Sequence, residues 1–409
     1  MNEPRIISFD NTECAFAAKN DAQLKKANFL FAMMGKPWLV KAGLKLTPLA
    51  IKWHVPFTKI LIRKTIFQQF VGGETLEETA KVADKLEEYN VKVILDYGVE
   101  GKEGEQNFIH ARDEFRKVIA YAATQANIPF MSVKVTGFAR FFLLEKIHGV
   151  MNSTPGTLMK RYLRSIGLLS IEERDEWHKV RLRMQQLCED ANKKNVGVLI
   201  DAEESWIQDP VDALTILMMD IFNRQKAVVY NTIQLYRHDR LHFLKDSYAA
   251  AAERNFILGA KLVRGAYMEK ERARAAAMNY TSPIQPDKET CDKDYNAAVE
   301  YCIDHLDRIA VIVASHNEYS NLYTTQLLDK KGLSHDHPHV HFSQLYGMSD
   351  NITFNLAKSG CSVSKYLPFG PIKDVIPYLM RRAQENSSVS GQTGRELVLI
   401  KKEMQRRKV

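Results

Sequence analysis

Five cysteines are scattered through 409 residues, odd in number and without a single CxxC. Cys14, Cys188, Cys291, Cys302 and Cys361 therefore give no disulfide framework and no structural zinc site, and they fit reduced thiols in an intracellular protein. No GxGxxG follows an early strand-like segment, which removes the main signature of a dinucleotide-binding open sheet. Acidic residues are missing altogether between Asp21 and Glu74. The same stretch holds Lys25, Lys26, Lys36, Lys41, Lys45, Lys52, Lys59, Arg63 and Lys64. Those cations interrupt every apolar run there well before the roughly 18 residues a membrane-crossing helix needs, so no span is expected. Two readings of the segment stay open: a helical arm packed on the main domain, or an amphipathic basic surface resting on anionic lipid. The opening Met1-Asn2-Glu3-Pro4 has neither a hydrophobic signal core nor the Arg- and Ser-rich character of a transit peptide, so cytoplasmic residence is expected, with peripheral contact at the inner face of the membrane as an option.

With 45% hydrophobic and 26% charged residues the chain can bury one large core, and the formal net charge of +8 sits mostly in the front segment. From about residue 90 onward, eight short β-branched runs alternate with helical stretches. They are 91–97, 131–138, 196–203, 227–234, 259–267, 310–316, 339–345 and 361–367. Alternation of this kind predicts parallel strands joined by crossover helices, and eight of them predict a closed (βα)8 barrel of the α/β class. Residues 1–80 are expected to form an N-terminal helical arm, broken into short helices by Pro37, Pro48 and Pro56, and 81–409 the barrel. The interval from Phe138 to Asn195 exceeds one crossover helix and predicts an added helical excursion.

In such a barrel the chemistry lies at the C-terminal ends of the strands. Lys134, Asp201, Gln234, Lys261, Tyr267, His316, Gln344 and Tyr366 all fall in or just after the apolar runs. Strand alternation would put Lys261, Val263, Gly265 and Tyr267 on one face. Lys261 could support negative charge on a planar cofactor or be paired with Asp201 for structural reasons alone. After the last run come Arg381 and Arg382. Two guanidinium forks suit a carboxylate, whereas an isolated Arg-Arg pair is more often a solvated helix face; Arg381 and Glu385 are i, i+4 neighbours.

Six motifs in order, Phe70-Val71-Gly72-Gly73-Glu74, Ile200-Asp201-Ala202-Glu203-Glu204, Lys261-Leu262-Val263-Arg264-Gly265-Ala266-Tyr267, Ser315-His316-Asn317, Gln344-Leu345-Tyr346-Gly347-Met348 and Tyr378-Leu379-Met380-Arg381-Arg382-Ala383-Gln384-Glu385-Asn386, resemble the proline dehydrogenase family, especially its monofunctional, eukaryote-like branch. The resemblance implies FAD-dependent oxidation of L-proline to Δ1-pyrroline-5-carboxylate, with electrons passed to a quinone. It implies that Arg381 and Arg382 clamp the carboxylate, that Lys134 adds a cationic contact, and that Tyr267, Leu345 and Tyr366 shape the ring pocket. It implies that Lys261 faces flavin N5, in place of the arginine of bacterial bifunctional relatives, and that Asp201 organises the cations. Ala202, Gln234, Val263, Arg264, Gly265, Ala266, Ser315, His316 and Glu385 correspond to cofactor positions. A tyrosine at 366, where the hydroxyproline-preferring branch tends to carry a smaller residue, implies a preference for proline. The length implies that the next dehydrogenase of proline catabolism is a separate polypeptide.

The alternating His335, His337, His339 and His341 look metal-like, but the cluster sits at the start of the seventh run, most of it at the end opposite the expected mouth, and no metal is expected. Other function classes are a metal-dependent barrel hydrolase, which would need histidines and carboxylates at several strand ends, and a non-catalytic basic protein binding lipid or nucleic acid; nucleic-acid binding is not expected. Within the family, 4-hydroxyproline is the alternative substrate.

Overall fold

The computed structural model describes residues 7–53, 55–98, 103–388 and 390–409, so the opening Met1 to Pro4 lies outside the described residues. Eight parallel strands, β1 (Lys92–Tyr97), β2 (Phe130–Val133), β3 (Gly197–Ile200), β4 (Val229–Gln234), β5 (Leu258–Val263), β6 (Ile309–Ala314), β7 (Val340–Leu345) and β8 (Val363–Phe369), follow in sequential order around a closed barrel. All eight fall on the β-branched runs, whose side chains fit a pleated surface covered on both faces. The four residues of β3 and the six of β4 are all buried. At Gly259 in β5 a Cβ would stand 2.2 Å from Val229 O, so only glycine lets these neighbouring strands approach as they do.

The chain divides into two compact units: Met1–Gly98 with His316–Leu322 and Phe342–Val409, and Val99–Ser315 with Tyr323–His341. In the first, helices α1 (Thr12–Ala15), α2 (Asp21–Met34), α3 (Pro37–Lys52), α4 (Thr58–Ile62), α5 (Gln68–Phe70) and α6 (Leu76–Glu87) precede β1. Asn20 starts α2 through a reciprocal capping box with Gln23, worth about 1 kcal/mol. Pro37 occupies the first turn of α3, where its missing donor costs nothing, and Pro56 precedes α4. Pro48 departs from expectation, because α3 runs through it. One absent hydrogen bond is tolerated where Val40 on the same helix is buried and Ile51 packs on the core formed by Phe31, Phe67, Phe70, Ile372, Val375 and Leu379.

The second unit holds α7 (Glu105–Ala122), then the excursion between β2 and β3 as α8 (Phe141–Asn152), α9 (Leu158–Gly167) and α10 (Ile171–Lys194). Ser170 and Glu173 form the capping box of α10, and Asn195 ends it in the left-handed conformation. The crossovers α11 (Ser205–Phe222), α12 (Arg240–Arg254), α13 (Met268–Met278) and α14 (Lys288–Asp304) follow β3, β4 and β5, and α15 (Glu318–Lys330), after β6, belongs to this unit from Tyr323 onward. Back in the first unit, α16 (Asp350–Lys358) joins β7 to β8, and α17 (Ile372–Ser388) and α18 (Ser390–Arg407) close the chain. Among the described residues no helix is long and apolar enough to cross a membrane.

Candidate active site

In the second unit, three strand ends meet on one carboxylate. Asp201 immediately follows β3, Lys134 immediately follows β2, and Lys261 lies within β5. Asp201 Oδ1 accepts from Lys261 Nζ, and Asp201 Oδ2 stands 3.5 Å from Lys134 Nζ. Lys261 is only 5% exposed and Asp201 8%. Burying an ammonium group costs several kcal/mol unless a counter-charge offsets it, and Asp201 supplies one to buried Lys261 and, at longer range, to half-buried Lys134. Thr232, the register partner of Lys261 on β4, turns its hydroxyl onto Ile200 O. Gln234 ends β4: its Nε2 donates to Glu203 O at 2.9 Å, while its buried Oε1 has no hydrogen-bond partner among the described residues.

Arg264, just past β5, donates to Asp292 on α14 and to Ser315 Oγ past β6, both at 2.7 Å, and lies over the Tyr295 ring at 4.2 Å. Gly265 and Tyr267 do not continue the alternation of β5 as expected, since the strand stops at Val263. Gly265 sits at φ +145°, and a Cβ there would meet the Tyr236 ring at 2.4 Å; Tyr267 caps α13. The glycine thus answers to a turn packed on Tyr236. Gly265 and Ala266 are exposed; Ala202, Val263 and Tyr267 are half-buried.

The first unit carries the remaining candidates. Arg381 and Arg382 lie on α17, after β8. Arg382 is buried at 6% exposure, paired with Glu385 at 2.5 Å and set over the Tyr378 ring at 5.2 Å, so it is no solvated surface arginine. Its Nε has no partner among the described residues. Arg381 is half-buried. Glu385 is used by Arg382 at i, i+3, and burial raises its carboxyl above the usual range in spite of both arginines. Leu345 and Tyr366, both half-buried, are register partners on β7 and β8.

His316 belongs to a chain of contacts that no motif announces. Leu345 N–H donates to its Nε2 at 3.4 Å, which leaves Nδ1–H to donate to Ser349 Oγ at 2.9 Å. Ser349 N–H donates to Glu396 on α18 at 3.2 Å, and Asp350 binds Lys19 and Lys365 at 2.6 and 2.8 Å. Burial and Asp350 push the Glu396 carboxyl up to about 7. Burial alone would raise Asp350 too, but Lys19 and Lys365 outweigh it and hold the group at about 2.

The family model for proline dehydrogenase matches residues 79–395. The chain belongs to the proline dehydrogenase family. It is 30% identical to proline dehydrogenase 1, mitochondrial, of Dictyostelium discoideum over 85% of this chain and 65% of that protein, just under two thirds of the relative's length. It is 34% identical to the carbapenem antibiotics biosynthesis protein CarD of Pectobacterium carotovorum subsp. carotovorum, over 83% of this chain and 84% of that one. The hydroxyproline dehydrogenase of Xenopus laevis is 30% identical over 96% and 88%. The crystal structure of proline utilization A from Bdellovibrio bacteriovorus superposes with a TM-score of 0.69 at 18% identity, over 95% of this chain and 40% of that chain, which establishes a shared fold.

This proline dehydrogenase family member also uses residues outside the expected set. Glu203 takes both the amide and the hydroxyl of Thr136, at 3.3 and 2.7 Å, beside Lys134, and offers its carbonyl to Gln234. Its place two residues after Asp201, inside the Ile200 to Glu204 motif, is the signal for it. Beneath β4, Asp212 is fixed by Gln208, Asn231 and Arg240 at 2.8, 2.9 and 2.7 Å, a buried polar layer with no local sequence pattern. The four histidines at the start of β7 have local contacts: His335 lies 2.8 Å from Asp329, His337 Nδ1 accepts from His339 N–H at 3.2 Å, His339 bonds Leu306 O at 2.6 Å, and His341, within β7, packs on Phe130.

Proposed function

We propose that the chain oxidises L-proline to Δ1-pyrroline-5-carboxylate with bound FAD and passes the electrons to a quinone. The observation that carries this reading is the buried carboxylate of Asp201 holding two ammonium groups, Lys134 and Lys261, at the C-terminal ends of barrel strands. Cations oriented there are suited to an anionic substrate and to a cofactor that gains negative charge.

The residues present fit a flavin. The unpartnered, buried Gln234 Oε1 is an acceptor waiting for a ring N–H, and Arg264, already fixed by Asp292 and Ser315, presents a rigid guanidinium. Gln234, Lys261, Arg264, Ser315, His316 and Glu385 would hold the cofactor, with Ala202, Val263, Gly265 and Ala266 contributing backbone. Bound there, FAD would supply the two-electron acceptor for a hydride.

The protein's part is positioning. Arg381 and Arg382 take the substrate carboxylate through charge-assisted forks, with Lys134 as a further cation, so binding energy fixes the orientation of the ring. Cationic groups that meet the substrate disfavour the protonated amine, leaving a lone pair on nitrogen. That lone pair closes the C=N bond as hydride leaves the adjacent ring carbon, and the iminium then loses its proton. Tyr267, Leu345 and Tyr366 wall the ring. Tyr366, beside Leu345 in register, would take the space that a 4-hydroxyl needs, and on this reading proline is preferred over hydroxyproline.

The test is anaerobic mixing of the purified yellow protein with L-proline and, separately, 4-hydroxyproline, followed by a soluble quinone. Bleaching by proline, weaker bleaching by hydroxyproline and recovery of colour with quinone are the expected results. A folded preparation without flavin would sink the reading.

A further inference from the structure

Two serines open helices in this chain and use their side chains differently. Ser170 turns its hydroxyl back onto the first turn of α10, as a serine at that place ordinarily does. Ser349 opens α16 at φ 51° and ψ 45°, in the left-handed region that a residue other than glycine seldom takes, and its side chain caps nothing. Its hydroxyl meets His316 Nδ1 just past β6, and its amide donates to Glu396 on α18. The turn around it is held on both sides. Gly347 sits at φ +79° with its carbonyl bound by Gln69 Nε2 at 2.7 Å, Lys365 Nζ donates to Met348 O at 2.6 Å, and Asp350 pairs with Lys19 and Lys365. Ser349 and Glu396 are both buried, so the carboxylate on the Ser349 amide is a contact of the interior and not of the surface.

We propose that Glu396 is a positioning residue for His316: from α18 it holds the Ser349 amide, so that the Ser349 hydroxyl keeps the imidazole protonated at Nδ1 and bare at Nε2. The docked C-terminal helix is then part of the support of the cofactor site. The link to Glu396 runs through a backbone amide, which does not hand on a proton as a hydroxyl can, so the chain of contacts sets geometry and carries no proton. Glu403 marks the difference between holding the helix and holding the site. It lies on the same face of α18 about two turns further along and is also buried, but it accepts from Arg406 and Arg407 at 2.8 and 2.7 Å on its own helix. The inference rests on the flavin reading only for what His316 meets; the state of the imidazole can be read without any cofactor.

Nitrogen NMR of the full chain labelled in histidine, with the His316 signal assigned by its loss in His316→Gln, reports which ring nitrogen carries the proton. Nδ1 is expected in the parent. Glu396→Ala should give a mixture of tautomers and release flavin roughly ten-fold faster, while Glu396→Gln, which keeps an acceptor for the amide, returns both to the parent's behaviour. Ser349→Gly takes the left-handed backbone without strain, so it folds, but it lacks the hydroxyl and should reproduce both defects. Adding Glu396→Ala to Ser349→Gly should then change neither further, because the two act along one path. Glu403→Ala loosens α18 without touching Ser349 and should keep the parent's tautomer. An unchanged imidazole in Glu396→Ala or in Ser349→Gly, additive losses in the double variant, or the same tautomer mixture from Glu403→Ala overturns the proposal. If the folded protein carries no flavin, the proline reading falls while the imidazole measurement still decides this one.

Discussion

Lys261 and Lys45 are the same side chain in opposite settings. Lys261 is buried on β5 with its ammonium group on Asp201, while Lys45 is exposed on α3, in a stretch that has no acidic residue. The first cation is held by the fold and is suited to orient a small molecule; the second is left to solvent and is suited to meet a charged surface. The difference teaches that an excess of lysine in a sequence says little until burial and counter-charge are known.

The comparison predicts its own largest effect. Asp201→Ala would remove the counter-charge beside Lys261 and Lys134, so we expect at least a hundred-fold fall in kcat/KM for proline and a loss of about 3–5 kcal/mol in denaturant unfolding. If Asp201→Ala were as active and stable as the parent, the buried cluster would have no role. Arg382→Met removes the buried guanidinium of α17 and is expected to reduce kcat/KM by roughly a hundred-fold, mostly through KM, as for a lost charge-assisted contact of about 2–3 kcal/mol.

Glu396 probes burial beside a like charge, Asp350. In the unfolded chain it ionises near 4.5 and in the folded one near 7, so between those values the folded state keeps a proton that the unfolded state has released. Stability contributed by this group therefore falls as pH rises from about 4.5 to about 7, and the penalty is complete above that. Glu396→Gln should be more stable than the parent at pH 8, by at most ~3 kcal/mol, and equal to it near pH 4. A parallel pH profile for the two proteins in thermal melts would contradict this.

Much of the fold was legible because its signal is local. Each strand is a β-branched run, and the helical excursion shows itself as an interval, Phe138 to Asn195, too long for one crossover helix. Where β5 ends was not legible, since the turn at Gly265 answers to the Tyr236 ring, nearly thirty positions earlier in sequence. Neither was the passage of α3 through Pro48, which depends on the core that Ile51 meets. Among candidate site residues, the pairing of Lys261 with Asp201 is one of two readings the sequence leaves open, and the structure shows the pair. The contacts from His316 to Ser349 to Glu396 link isolated positions with no spacing pattern, so only the folded chain brings them together.

Two smaller effects sharpen the contrast further. Tyr366→Ser changes shape and not charge, and it is expected to raise the hydroxyproline-to-proline ratio of kcat/KM by roughly ten-fold, with little loss of stability; the two substrates assayed side by side will tell. Lys45→Ala should leave both the thermal midpoint and proline turnover unchanged, since no packed partner is lost.

Anaerobic reduction of the bound flavin by L-proline, compared with L-prolinamide at equal concentration, asks most directly whether buried cations act on a carboxylate. Rapid bleaching with proline and at least a hundred-fold slower bleaching with the amide are predicted, because the guanidinium forks lose their partner. Equal rates would contradict the proposed hold of Arg381 and Arg382 on the substrate carboxylate.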